Sequence, residues 1–136
     1  MSTKTKILLV DENGFERSAL RRFISEHVES QVLEAENARD VFGAFLNAAP
    51  DLIVFDLPYE MGNGLSLIRF LRAADCITPI MVISTRHNDL LEEVVREAGA
   101  DCLLLNEELP HKFAAAAGEL LERKPCCEEH HHENAC

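Results

Sequence analysis

Asp51-Leu52-Ile53-Val54-Phe55-Asp56 is the stretch on which the fold of this 136-residue chain turns. Four apolar residues stand in a row between two acids. A strand with one wet face alternates polar with apolar residues; this one has no polar residue to offer, so both of its faces need cover. The pattern recurs on either side. Residues 7–10 read Ile-Leu-Leu-Val and close on Asp11. Residues 80–83 read Ile-Met-Val-Ile, opened by Pro79 and closed by Ser84. Two weaker strands, 31–35 and 102–105, bring the number to five.

Helical spacing fills the gaps. In 15–27, Phe15, Ala19, Leu20, Phe23 and Ile24 fall on one side. In 38–48, the apolar residues are Val41, Phe42, Phe45 and Leu46. Residues 57–64 carry Pro58, Gly62 and Gly64 and are expected to be a loop. Helices are expected over 65–74, over 89–98 with Gly99 as its stop, and over 109–123 with Pro125 beyond it. Five strand–helix pairs with nearly continuous apolar strands predict the α/β class: a doubly wound, five-stranded parallel sheet with helices on both faces. The expected strand order is the flavodoxin-like 2-1-3-4-5. One domain is expected over residues 1–124, with 125–136 as a tail.

Composition narrows the function. Hydrophobic residues make up 47% of the chain, enough for a core without disulfides or a structural metal. The net charge of −11 argues against nucleic acid as a partner, and no basic patch offsets it, since Arg21 and Arg22 are flanked by Glu16 and Glu26. The start of the chain is polar, and the apolar run 7–10 is too short for a signal peptide or a membrane span. Cys76 and Cys102 are expected as buried thiols, and a reducing, cytoplasmic location fits them. The tail holds Cys126, Cys127, Cys136 and His130 to His132. Such donors suit zinc, copper or nickel, but their spacing matches no structural zinc motif, so adventitious chelation or an appended remnant is the plainer account. The tail is expected to be disordered without a partner or metal.

The strand ends carry the chemistry. In an open parallel sheet, ligands bind beyond the carboxyl ends of the strands, where the order reverses. Those ends here are Asp11-Glu12, Asp56, Ser84-Thr85 and Asn106-Glu107-Glu108. Acids at strand ends are ordinarily solvated loop residues. Asp56 departs from that because it follows a fully apolar strand and precedes a Gly-rich loop. Converging carboxylates repel one another, and a hard cation such as Mg2+ relieves the repulsion through carboxylate, carbonyl, water and phosphate oxygens. One carboxylate can then act as nucleophile toward a phosphoryl group, as in aspartyl phosphates, with Ser84 as a hydroxyl donor.

With those residues in view, the sequence resembles a response-regulator receiver domain. The resemblance runs from about Lys6 to Arg123 and rests on Ile7-Leu-Leu-Val-Asp-Glu12, Asp51-Leu-Ile-Val-Phe-Asp56 with Gly64 eight residues on, Pro79-Ile-Met-Val-Ile-Ser84 and Ala98-Gly-Ala-Asp101. It implies that Asp56 is the phosphoryl acceptor, that Asp11 and Glu12 are the magnesium-binding pair, that Pro58 supplies a backbone carbonyl to the metal, and that Ser84 is the switch hydroxyl. Five positions depart from the family pattern. Asn106-Glu107 stands where the family has lysine and proline, and Leu103 where it often has an aromatic residue. Thr85 stands where it has a small residue, and Glu60 where it has proline. Arg86, two residues past Ser84, is a candidate compensating cation; a solvated surface arginine is the plainer account.

The function this implies is a stand-alone receiver module of a phosphorelay, not an enzyme beyond its own phosphorylation and dephosphorylation. Its partners would be a histidine kinase or phosphotransfer protein and an unknown downstream protein, reached by protein contacts. No output domain is expected beyond the last helix. The alternative is a phosphorylation-independent pseudo-receiver that acts as a binding module, which the missing lysine favours. A phosphate-ester hydrolase using Asp56 ranks last, for want of a cap segment and a clamping lysine.

Overall fold

The computed structural model describes residues 4–57, 62–74, 76–85 and 89–123. Five strands, β1 (Lys6–Val10), β2 (Gln31–Ala35), β3 (Leu52–Asp56), β4 (Ile80–Ser84) and β5 (Cys102–Leu105), alternate with five helices, α1 (Gly14–His27), α2 (Ala38–Ala48), α3 (Gly62–Ala73), α4 (Asp89–Ala98) and α5 (Leu109–Glu122). One 3-10 turn, Asn106–Glu108, joins β5 to α5. The strands are all parallel, in the order β2-β1-β3-β4-β5. This is the doubly wound sheet that the apolar strands predict.

The period of two along each strand divides the core into two layers. Leu8, Val10, Ile53, Phe55, Ile80 and Val82 face one way, toward Val41, Ile68, Leu71 and Val95 of α2, α3 and α4. Ile7, Leu9, Leu52, Val54, Met81 and Ile83 face the other way, toward Leu20 and Ile24 of α1 and Phe113, Ala117 and Leu120 of α5. Successive residues of β1 and β3 are thus buried on opposite faces, which is why neither strand can carry a polar residue between its ends.

Three expectations change. Helix α3 begins at Gly62, three residues earlier than its apolar spacing suggests. The N–H groups of a first turn have no partner within the helix, so Gly62 and Gly64 cost little there. Gly64 also has a packing reason, since a Cβ on it would overlap the Leu57 side chain. Phe15 does not join the buried stripe of α1: it is 87% exposed, in the first turn beyond the end of the sheet. Of the two body cysteines, Cys76 is buried but Cys102 only partly so.

At the amino end of β4, Arg72 of α3 holds the fold together. Its Nε donates to Gly99 O at 3.0 Å, and its Nη1 to Cys76 O and Thr78 O at 2.7 and 2.8 Å. Its Nη2 pairs with Asp101 Oδ2 at 3.0 Å, and that oxygen also accepts the Ile80 N–H. The residues of Ala98-Gly-Ala-Asp101 therefore belong to a structural knot far from the strand ends that carry the acids. No helix among the described residues is long and apolar enough to cross a membrane. The tail, 125–136, lies outside the described residues.

Candidate functional site

Strand register brings the acids together. Val10 pairs with Phe55, so Asp11 and Asp56 each come next on neighbouring strands. Ser84 ends β4, one residue past the partner of Asp56, and pairs with Leu105, so Asn106 follows at the same edge. A cleft of about 720 Å3 opens there, lined by Asp11, Glu12, Asn13 and Glu16, by Asp56, Leu57 and Thr85, and by Asn106, Leu109 and Pro110. Phe15, Ala19, Leu20 and Phe23 of α1 form its apolar wall.

Asp11 is 4% exposed. Its Oδ1 accepts the Asn13 N–H at 2.9 Å, and its Oδ2 is buried with no hydrogen-bond partner among the described residues. Burying a carboxylate oxygen without a partner is costly, so the arrangement calls for a proton or a cation. Oxygens of Asp11, Glu16 and Asp56 lie within 4.8 Å of one another. Asp56 is half-buried, and its carboxyl is pushed up from 3.8 to about 8. Burial contributes most. Next comes the adjacent Asp11 carboxylate, toward which a proton on Asp56 is favoured, then the negative charges of Asp11 and Glu16. Without a cation, the cluster therefore keeps a proton at neutral pH. Hard oxygen donors around an orphaned carboxylate oxygen fit a divalent cation such as Mg2+.

Of the candidates from sequence, Asp11, Glu12, Asp56 and Asn106 line this one cleft. Ser84 is buried at the end of its strand, while the exposed Thr85 lines the cleft. Glu12 is exposed and stands outside the group of carboxylates that closes on Asp11. Glu16, which the sequence reading passes over as a surface acid beside Arg21 and Arg22, takes the third place. The signal for it was its position one turn past Asp11, on a helix that starts at the strand end. Pro58, Glu60 and Arg86 lie outside the described residues.

Arg17 was also missed. Its Nη1 donates to the Asp11 carbonyl at 2.6 Å, while Nε meets Glu34 at 2.8 Å and Nη2 meets Glu36 at 3.4 Å. Its charge is thus engaged with the acids at the end of β2 and with the backbone of Asp11. Opposite, Glu108 closes the turn by accepting the Leu105 N–H at 2.9 Å and pairs with Lys112 at 2.9 Å. That turn fixes Asn106 at the cleft.

The response regulator receiver domain model matches residues 7–116. The chain is 32% identical over 100 residues to the KDP operon transcriptional regulatory protein KdpE of Escherichia coli, covering 71% of this chain and 42% of that protein. It is 29% identical over 122 residues to the transcriptional regulatory protein ResD of Bacillus subtilis, covering 90% and 50%. It spans about half the length of such curated relatives. In structure, it matches a response regulator from Thermotoga maritima with a TM-score of 0.75 at 21% identity, covering 89% of this chain and all of that one. A LuxR-family two-component response regulator from Aurantimonas matches with a TM-score of 0.77 at 24% identity, covering 88% and 86%. These likenesses support the fold.

Proposed function

The chain belongs to the response regulator receiver domain family of two-component signalling, and from that premise we propose that it accepts a phosphoryl group on Asp56 from a histidine kinase or phosphotransfer protein. The observation that carries this reading is Asp56 at the carboxyl end of the central strand, against a buried Asp11 oxygen with no partner among the described residues. In the transfer, an Asp56 carboxylate oxygen forms a bond to phosphorus as the bond from phosphorus to the donor nitrogen breaks. Asp11 and Asp56 would hold Mg2+, with the Pro58 carbonyl as a further candidate ligand. The ion would neutralise the cluster and favour loss of the proton from Asp56. Ser84 is the candidate hydroxyl for a phosphoryl oxygen.

As a receiver domain, the chain is a signalling module and not a catalyst acting on an external substrate. Its output would be a contact with a downstream protein in the cytoplasm; the net charge of −11 argues against a nucleic-acid target. One feature favours a second reading, a binding module independent of phosphorylation: Asn106 lines the cleft and brings no charge. Incubation with magnesium and a small phosphodonor, followed by intact mass, separates the two. The expected result is a single phosphoryl adduct that Asp56→Asn abolishes. An unlabelled wild type favours the binding module, and labelling retained in the variant overturns Asp56 as the acceptor.

A further inference from the structure

Two helices of this chain open with the same pattern, asparagine followed three residues later by an acid: Asn13-Gly-Phe-Glu16 at α1 and Asn37-Ala-Arg-Asp40 at α2. In both, the asparagine side chain caps the helix by accepting the N–H of the acid, at 2.9 Å each. An acid at this third position ordinarily turns back onto the backbone at the cap. Asp40 turns back in this way, one residue beyond the cap, and accepts the Glu36 N–H at 3.2 Å. At α1 the N–H of the cap residue itself, the donor that a third-position acid ordinarily takes, is occupied: the Asn13 N–H donates to Asp11 Oδ1 at 2.9 Å. Glu16 is thereby released from capping, and its carboxylate comes within 4.8 Å of Asp11 and Asp56. The buried Oδ2 of Asp11, with no partner among the described residues, belongs to the same group.

From this we infer that Glu16, and not Glu12, is the third carboxylate of the divalent-cation site. The inference rests on the cation reading of the cleft given above. An octahedral Mg2+ with oxygens at about 2.1 Å sets opposite ligands roughly 4.2 Å apart, so a small rotation of the exposed Glu16 side chain is enough to close the group. With Asp11 and Glu16 as anchors, Asp56 can give one oxygen to the ion and keep the other for phosphorus. Glu16 also adds a negative charge to the group, and higher ligand charge strengthens cation binding.

The test titrates the phosphate-free chain with magnesium chloride and follows the amide resonances of Asp11, Asn13 and Asp56, in the wild type and in Glu16→Gln, Glu12→Gln and Asp56→Asn. Glutamine keeps the length and polarity of the side chain and removes only the charge. Glu16→Gln is expected to weaken Mg2+ binding about tenfold, and more than Glu12→Gln does. A loss below roughly threefold, or one matched by Glu12→Gln, overturns the assignment. If Asp56→Asn weakens binding while Glu16→Gln does not, the cation site stands and Glu16 is excluded from it. If neither variant weakens binding, the cation site itself is wrong. Melting in chelator gives the second readout. A helix-dipole role for Glu16 predicts a lower melting temperature for Glu16→Gln and would overturn the assignment. Relief of repulsion predicts an equal or higher one.

Discussion

Asp56 carries a proton that an ordinary aspartate loses well below neutral pH, and this has a measurable sign. Its carboxyl is raised from 3.8 to about 8, first by burial and then by Asp11. Between those values the folded chain binds more protons than the unfolded one, so stability falls as pH rises. The contribution is fully present below 3.8 and is lost as pH passes through about 8. In chelator, the melting temperature should therefore decline from pH 5 to pH 8. In Asp56→Asn the decline should be shallower, and at pH 8 the variant should melt several degrees above the wild type. Thermal melts at the two pH values check this; parallel declines would mean that Asp56 titrates normally. Asp11 and Asp56 were legible in the sequence because each terminates an apolar strand. Glu16 was not, because its freedom depends on where the Asn13 N–H points, and the same Asn-x-x-acid spelling gives the opposite outcome at Asp40. Phe15 misled for a related reason: helical spacing says which face a residue is on, but not whether the helix has already passed the end of the sheet.

At the scale of elements, the join between α3, α4 and β4 depends on one side chain. Arg72 satisfies three backbone carbonyls and the Asp101 carboxylate. Arg72→Ala leaves all four without that donor and should cost about 2–4 kcal/mol, read by chemical denaturation. Gly99→Ala attacks the same knot from the other side. Its φ is +127°, and a Cβ there would lie 2.5 Å from Arg72 Cγ, so this variant should also be destabilised. A cost below about 0.5 kcal/mol for Arg72→Ala would mean that water replaces the arginine. The sequence showed Gly99 as a helix stop but gave no hint of its contact with Arg72, 27 residues away. The start of α3 was hidden for a different reason: Gly62 and Gly64 are punctuation in a loop and equally tolerable in a first turn, and only the approach of Leu57 distinguishes the two.

At the scale of the whole molecule, a response to phosphorylation needs a difference in affinity between two states. The family resemblance assigns that difference to a lysine, a hydroxyl and an aromatic residue; here the positions hold Asn106, Ser84 and the partly buried Leu103. A charge-assisted contact contributes about 1.5–3 kcal/mol, enough to decide which state is populated. Asn106→Lys should therefore enlarge the amide shifts that beryllium fluoride produces around Ser84, Leu103 and Asp89–Ala98. A full, saturating response in the unmodified chain would show that another cation already serves. Sheet order and layering were readable from apolar runs alone, because a parallel strand covered on both faces admits few alternatives.

The posture of Arg17 has a kinetic consequence. Because Glu34 and Glu36 pair with its charge, little of that charge is left to offset the acids of the cleft, and a chain with net charge −11 would project a negative field there. Free anionic phosphodonors would approach against that field. A partner that surrounds its phosphorylated histidine with basic residues would be drawn along it, at rates that salt suppresses within a screening length of about 8 Å. The geometry of one arginine would then act as a filter on encounters, favouring delivery by a protein over collision with a small molecule.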